Sequence, residues 1–236
     1  MVPREFCLQD VDALIFDVIG TLVDEDATFA AASVILAETA GLLDPDGLRR
    51  SWSRLLDGKI RDVVEGVAAW RLHSVLVAEA GDEAVLEHAG MLERSLPERL
   101  TAVDEMYVAW PDVAEALRTL RARHLVAGFS NGDLGSLARL AHNNDLAWHV
   151  VLSTASIGTF KPASAAYQYV IETLSVDPSR TLFVAAHPWD LRAAREAGFL
   201  TAYVARPGAE LPAPGDSFDA YITDLLQLVQ MIAPVA

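Results

Sequence analysis

The chain of 236 residues carries 18 Lys and Arg against 33 Asp and Glu, a formal net charge of −15. That balance, with no Lys/Arg cluster, excludes the basic patch of a nucleic-acid binder, and 52% hydrophobic against 22% charged residues excludes a disordered chain. One cysteine, Cys7, cannot close an internal disulfide, the N-terminal residues show no apolar signal core, and no run approaches the ~20 apolar residues of a spanning helix, so a cytoplasmic protein with no membrane partner is expected.

The apolar run 12–17 reads as a buried strand ending at Asp17, with Gly20 just beyond. Residues 27–100 then change character, rich in Ala, Leu, Val, Glu and Arg with helical spacing and no strand signal. Ile60, Val63, Val64, Val67 and Trp70 recur at three and four residues as one helical face, and breaks are expected at 41–45 and at Gly81-Asp82. Strands and helices alternate afterwards. A helix opens at Pro111, a strand covers 125–130, a helix 134–142, a strand 149–153, a helix 163–174 behind Pro162, and a strand 181–185. A helix at 189–197 stops at Gly198, and strands at 200–204 and 220–222 precede a terminal helix.

Alternation of this kind predicts an α/β fold, a Rossmann-like parallel sheet covered on both faces. The helical block is then an insertion. Residues 1–24 and 108–236 form the core, and 25–107 form a helical cap. The cap leaves the sheet at the carboxyl end of the first strand, where open parallel sheets bind ligands, so it sits as a lid.

Polar groups fall on that same edge. Asp17 ends the first strand, Ser130 and Asn131 end the second, Lys161 follows the third, and His187 and Asp190 follow the fourth. A carboxylate, a hydroxyl, an ammonium and a second carboxylate converging on one edge can run covalent catalysis. The first carboxylate attacks carbon or phosphorus, the lysine favours its charged form, and the second carboxylate holds a metal or activates water. Because the global charge repels anions, an anionic small molecule must be recruited by local cations.

Phe16-Asp17-Val18-Ile19-Gly20-Thr21, Phe129-Ser130-Asn131-Gly132, Lys161-Pro162 and the stretch 184–190 resemble, in order and interval, the four motifs of the haloacid dehalogenase superfamily. In its phosphatases the position of Ile19 is an acid that protonates the leaving group, and the position of Ala186 is an acid that helps hold Mg²⁺. Asp17 and Asp190 alone make a thin oxygen set for a hard cation, so neither metal nor other cofactor is expected. The L-2-haloacid dehalogenase (type II) branch is the more similar. It has a non-acidic residue at Ile19, a tyrosine six residues after the lysine, here Tyr167, and a Trp-Asp pair, here Trp189-Asp190.

The resemblance implies that Asp17 attacks C2 of a small 2-haloalkanoic acid and expels halide, and that water activated near Asp190 cleaves the ester. Thr21, Ser130 and Lys161 steady the carboxylates, with Tyr167 in support as a substrate-binding residue. Ile19 lines the substrate site, and Asn131 helps cradle the halide. His187 and Ala185 stand where the branch has asparagine and serine; a histidine there can hold water or a carboxylate. The branch binds halide with a cap arginine just after a tryptophan. Trp52 is followed here by Ser53 and then Arg54, so Arg54 is the candidate by a one-residue shift, with Arg50 a turn away. A homodimer is an assembly common in that family. Two other readings stay open: a phosphatase or other hydrolase of the same superfamily, and a retained fold acting as a binding protein.

Overall fold

The computed structural model describes residues 10–89, 103 and 106–232; Cys7 and Leu100 lie outside them. Six strands, β1 (Ala13–Asp17), β2 (Leu125–Ser130), β3 (Val150–Ser153), β4 (Thr181–Ala185), β5 (Leu200–Val204) and β6 (Ala220–Ile222), form one parallel sheet in the order β3-β2-β1-β4-β5-β6. β1 is central, with Ala13 opposite Leu125 on one side and Thr181 on the other. All five of its residues are buried, as a strand covered on both faces requires.

The period of two along a strand distributes those residues between the faces. Leu14 and Phe16 pack with α4 (Val113–Arg121), α5 (Leu134–Asn143) and α8 (Leu225–Ile232) through Leu117, Leu137 and Leu228. Ile15, Phe129 and Phe183 pack on the opposite face against α6 (Ser164–Leu174) and α7 (Pro188–Glu196) through Tyr167, Val170 and Leu191. The expected helix at Pro111 begins at Val113, and the remaining core elements fall within one or two residues of their expected bounds.

Among the described residues between β1 and α4 lie three cap helices, α1 (Glu25–Ala40), α2 (Pro45–Val64) and α3 (His73–Ala89). Asp24 caps α1 by accepting from Ala27 N, and Gly41 ends it in the left-handed region. Asp44 caps α2 through Gly47 N with Pro45 in the first turn. The cap has its own core, in which Phe29, Leu36, Trp52, Leu76 and Val85 meet Phe160 from the sheet domain. No single helix among the described residues is long and apolar enough to cross a membrane.

Two cap expectations are corrected. α3 runs unbroken through Gly81-Asp82; Ala80, Ala84 and Val85 are buried around that point, and this packing outweighs the ~1 kcal/mol that glycine costs in a helix. The proposed face from Ile60 to Trp70 stops early, because α2 ends at Val64 and Gly66 takes φ +73°. Val67 is consequently 74% exposed.

The chain leaves and re-enters the sheet domain side by side. Asp24 N donates to Val108 O at 2.9 Å and Trp110 N to Leu22 O at 3.0 Å. Asn144 clips the returning segment by accepting from Ala109 N and donating to Tyr107 O. A second tie joins core to cap: the Asp133 carboxylate accepts from His73 N and Ser74 N at 3.0 and 3.1 Å, in the first turn of α3.

Candidate active site

Asp17 stands at the carboxyl end of the central strand, paired with Phe129 of β2, and the residue is 4% exposed. Oδ1 accepts from Lys161 Nζ at 2.6 Å and Oδ2 accepts from Thr21 Oγ1 at 2.6 Å. The Thr21 hydroxyl accepts in turn from Ala186 N at 2.8 Å, which fixes its rotor toward Asp17. The turn between Asp17 and Thr21 needs Gly20. Its φ is +83°, and a Cβ there would meet His187 Nε2 at 2.5 Å.

Lys161 is fully buried and bridges two carboxylates, Asp17 Oδ1 and, at 2.5 Å, Asp190 Oδ2. Burial works against its charge, but Asp17 and Asp190 outweigh that and hold the ammonium above its ordinary range. The Phe129 and Phe183 rings lie 5.2 and 5.7 Å from Nζ. Asp190, in the first turn of α7, has its other oxygen bonded by Tyr167 Oη at 2.5 Å. Burial raises the Asp190 carboxyl, partly offset by Lys161. Burial and the Asp190 charge push the Tyr167 phenol well above its ordinary range, so it remains a donor.

Above these groups lies a cavity of about 360 Å³ between sheet and cap. Asp17, Ile19, Ser130, Asn131, Lys161 and His187 line it. Thr21, Tyr167 and Asp190 do not; they stand behind and hold the groups that do. This corrects two expectations. Asp190 is 0% exposed with both oxygens engaged, so it orients Lys161 and does not face a water in the cavity. Tyr167 touches Asp190 and no substrate space. Asn131 is also committed: Oδ1 accepts from Lys161 N at 2.7 Å and from Thr154 Oγ1 at 3.3 Å, pinning the backbone that delivers the lysine. Ser130 Oγ accepts from Gly132 N at 3.1 Å, which leaves its O–H to donate.

Arg54 is the clearest correction. It points away from the cavity, 60% exposed, and its Nη2 donates to both carboxylate oxygens of Glu87 of α3 at 2.7 Å. Arg50 is likewise exposed, 4.0 Å from Asp44. The face that α2 turns to the cavity is Ser53, Leu56, Asp57 and Ile60, spaced three and four apart. Arg54 is one residue off that face, about 100° around the helix. The Trp52 side chain is buried in the cap core, with Nε1 donating to Val77 O.

Several groups that the sequence reasoning missed line the cavity, Arg206, Glu25 and Asp57 among them. Arg206 follows β5 on the ligand edge and is 7% exposed; Nε donates to Thr21 O at 2.9 Å and Nη1 to Asp112 Oδ1 at 2.8 Å. The strand-end rule that singled out Lys161 would have found it. Glu25 and Asp57 come from the cap; burial raises both carboxyls, against the pull of His187 on Glu25 and of Arg61 on Asp57. Nothing in their local sequence marks them.

The donor set does not suit a hard divalent cation. Ala186 offers no side-chain oxygen, the Ile19 carbonyl lies 3.1 Å from His187 Nε2, and the Lys161 ammonium occupies the space between Asp17 and Asp190. Among the described residues no three His, Cys, Asp or Glu side chains are grouped to hold a metal.

The chain is similar to known proteins in sequence and in fold. The chain is 26% identical over 226 residues to (S)-2-haloacid dehalogenase H-109 of Pseudomonas putida, covering 92% of this chain and 96% of that one. It is 29% identical over 203 residues to (S)-2-haloacid dehalogenase 4A of Burkholderia cepacia, covering 83% and 84%. The crystal structure of the L-2-haloacid dehalogenase PA0810 superposes with a TM-score of 0.83 at 29% identity, over 94% of this chain and 98% of that one. The family model described as haloacid dehalogenase-like hydrolase matches residues 11–198, from the first turn before β1 to the glycine after α7, and the chain belongs to that family.

Proposed function

We propose that the protein hydrolyses the carbon–halogen bond of small 2-haloalkanoic acids through an ester on Asp17. The observation that carries this reading is the environment of Asp17. A buried carboxylate at a cavity floor is flanked by one ammonium and one hydroxyl, and the side chain two residues on is Ile19, which donates no proton. Halide leaves as a stable anion and needs none. The names of the relatives at 26% and 29% identity point to the same chemistry.

An Asp17 oxygen forms a bond to C2 as the bond to halogen breaks, and the electron pair leaves with the halide. The Ser130 hydroxyl and the Lys161 ammonium steady the substrate carboxylate and the nucleophile. Thr21 fixes the Asp17 rotamer, and Asp190 with Tyr167 holds Lys161 in place. Water then cleaves the ester at the Asp17 carboxyl carbon, returning the carboxylate and releasing the 2-hydroxy acid and a proton.

The test is halide release from both enantiomers of 2-chloropropionate and 2-bromopropionate with a chelator present, beside phosphate release from an aryl phosphate with Mg²⁺. Halide release lost in Asp17→Asn is the expected result. Silence toward every haloacid, or phosphate release alone, overturns the reading.

A further inference from the structure

Expelling a halide needs positive charge where the anion develops, and the cations already described are tied to acceptors of the protein itself. Lys161 is bonded by Asp17 and Asp190, and Arg206 is anchored to the Thr21 carbonyl and Asp112 through Nε and Nη1, with Nη2 buried and unbonded. The described cap residues bring Asp57 and Glu25 to the cavity and no arginine.

His187 is a further group on the cavity wall that can carry positive charge. It sits at the N-cap of α7, with Nε2 3.1 Å from the Ile19 carbonyl and 3.6 Å from Asp17 Oδ2. Its ring stacks on Trp189, with centroids 5.5 Å apart and planes at 26°. Glu25 Oε2 and His187 Nε2 both close over Gly20: a Cβ there would lie 3.3 Å from the first and 2.5 Å from the second. The charged groups around the ring are Asp17 at the end of β1, Glu25 of α1, Asp57 of α2 and Asp190 of α7, with Lys161 as the opposing cation. Burial works against a charged ring, but Asp17, then Glu25, the Ile19 carbonyl and Asp190 outweigh it and raise the imidazole above its ordinary range. With Nε2 directed at acceptors, a protonated ring has Nδ1–H to offer a ligand.

We infer that charged His187 receives the departing halide in place of a cap arginine, and that Glu25 is the positioning residue that sets the pH range over which it does so. This rests on the carbon–halogen reading above. No proton moves in the step: the C2–O bond forms, the C2–X bond breaks, and X⁻ leaves beside the imidazolium. A small, charge-dense halide draws more from such a partner than a large one does.

The test is single-turnover halide release from 2-chloropropionate and 2-bromopropionate across pH, with wild type, His187→Asn, His187→Gln and Glu25→Gln. Both substrates give the same ester on Asp17, so any difference between them arises in the displacement step. The His187 variants are expected to lose at least fivefold more rate on the chloro than on the bromo acid. The wild-type rate is expected to fall as pH rises and the ring loses its proton. Glu25→Gln removes a negative neighbour of the ring, so that limb shifts to lower pH by at least half a unit. Equal losses on the two halides, or an unshifted limb in Glu25→Gln, overturn the inference while leaving the carbon–halogen reading intact. A wild type silent on both acids overturns that reading as well. If a His187 variant fails to fold, the Glu25→Gln limb decides alone.

Discussion

Replacing Lys161 by Met keeps the side-chain length and removes the charge between two carboxylates that are 5% and 0% exposed. The bonds from Nζ are 2.6 and 2.5 Å. Laid end to end, they put the two carboxylate oxygens no more than about 5 Å apart, a repulsion of about 3 kcal/mol at an effective dielectric of about 20. Breaking a buried pair by removing one partner costs about 3–5 kcal/mol, so the two routes to the magnitude agree. For a chain of this size that is a fall in Tm of about 6–20 °C at pH 8. The cost must be smaller at pH 5. Without the ammonium one carboxylate titrates above its unfolded value, so the folded state takes up a proton and gains stability as pH falls. Thermal unfolding of Lys161→Met at pH 5 and pH 8 reads this directly. Adding Asp190→Asn should restore at least half of the lost stability at pH 8, because it removes one of the two uncompensated charges. It should leave kcat/KM toward a haloacid about 10²–10³-fold down, the size of losing one preorganised electrostatic partner. A loss identical at the two pH values, or no recovery in the double variant, would refute the argument that Lys161 stabilises the fold by compensating buried charge.

Arg54→Ala removes an exposed, solvent-screened cap pair and should leave Tm essentially unchanged and kcat/KM changed by less than about twofold; a large rise in KM would place Arg54 in the site after all. Tyr167→Phe deletes a hydrogen bond to a buried carboxylate and should cost about 1.5–3 kcal/mol in urea unfolding, with a smaller effect on turnover than Lys161→Met. Asp133→Ala removes the acceptor that the core offers to the first turn of α3, worth about 1 kcal/mol as a helix cap. Amide exchange should rise at His73 and Ser74 before it rises in the sheet, and equal acceleration in both would show that Asp133 is not a local tie.

Much of the core was legible in the sequence because its signals are local. Continuous apolar runs define strands buried on both faces, glycine and proline mark their ends, and α/β alternation allows few arrangements. Since a parallel sheet presents its ligand edge at the strand ends, Asp17, Ser130, Lys161 and His187 could be assigned to one cavity from chain position alone. Rotation about the helix axis is what chain position does not determine. On α2 one residue separates Ser53, which faces the cavity, from Arg54, which faces water and Glu87, and only packing of Trp52 into the cap core settles which it is. The unbroken passage of α3 through Gly81 is likewise a result of burial against α2. Depth is the other non-local quantity. Asp190 and Tyr167 were recognisable as polar groups near the site, but only the tertiary structure sets them behind Lys161, with every polar side-chain atom engaged, where they govern the charge of the site without touching its ligand. Arg206, Glu25 and His187 meet around the Asp17 turn from segments up to 185 residues apart, and the electrostatic pull between Glu25 and His187 exists only once the chain is folded.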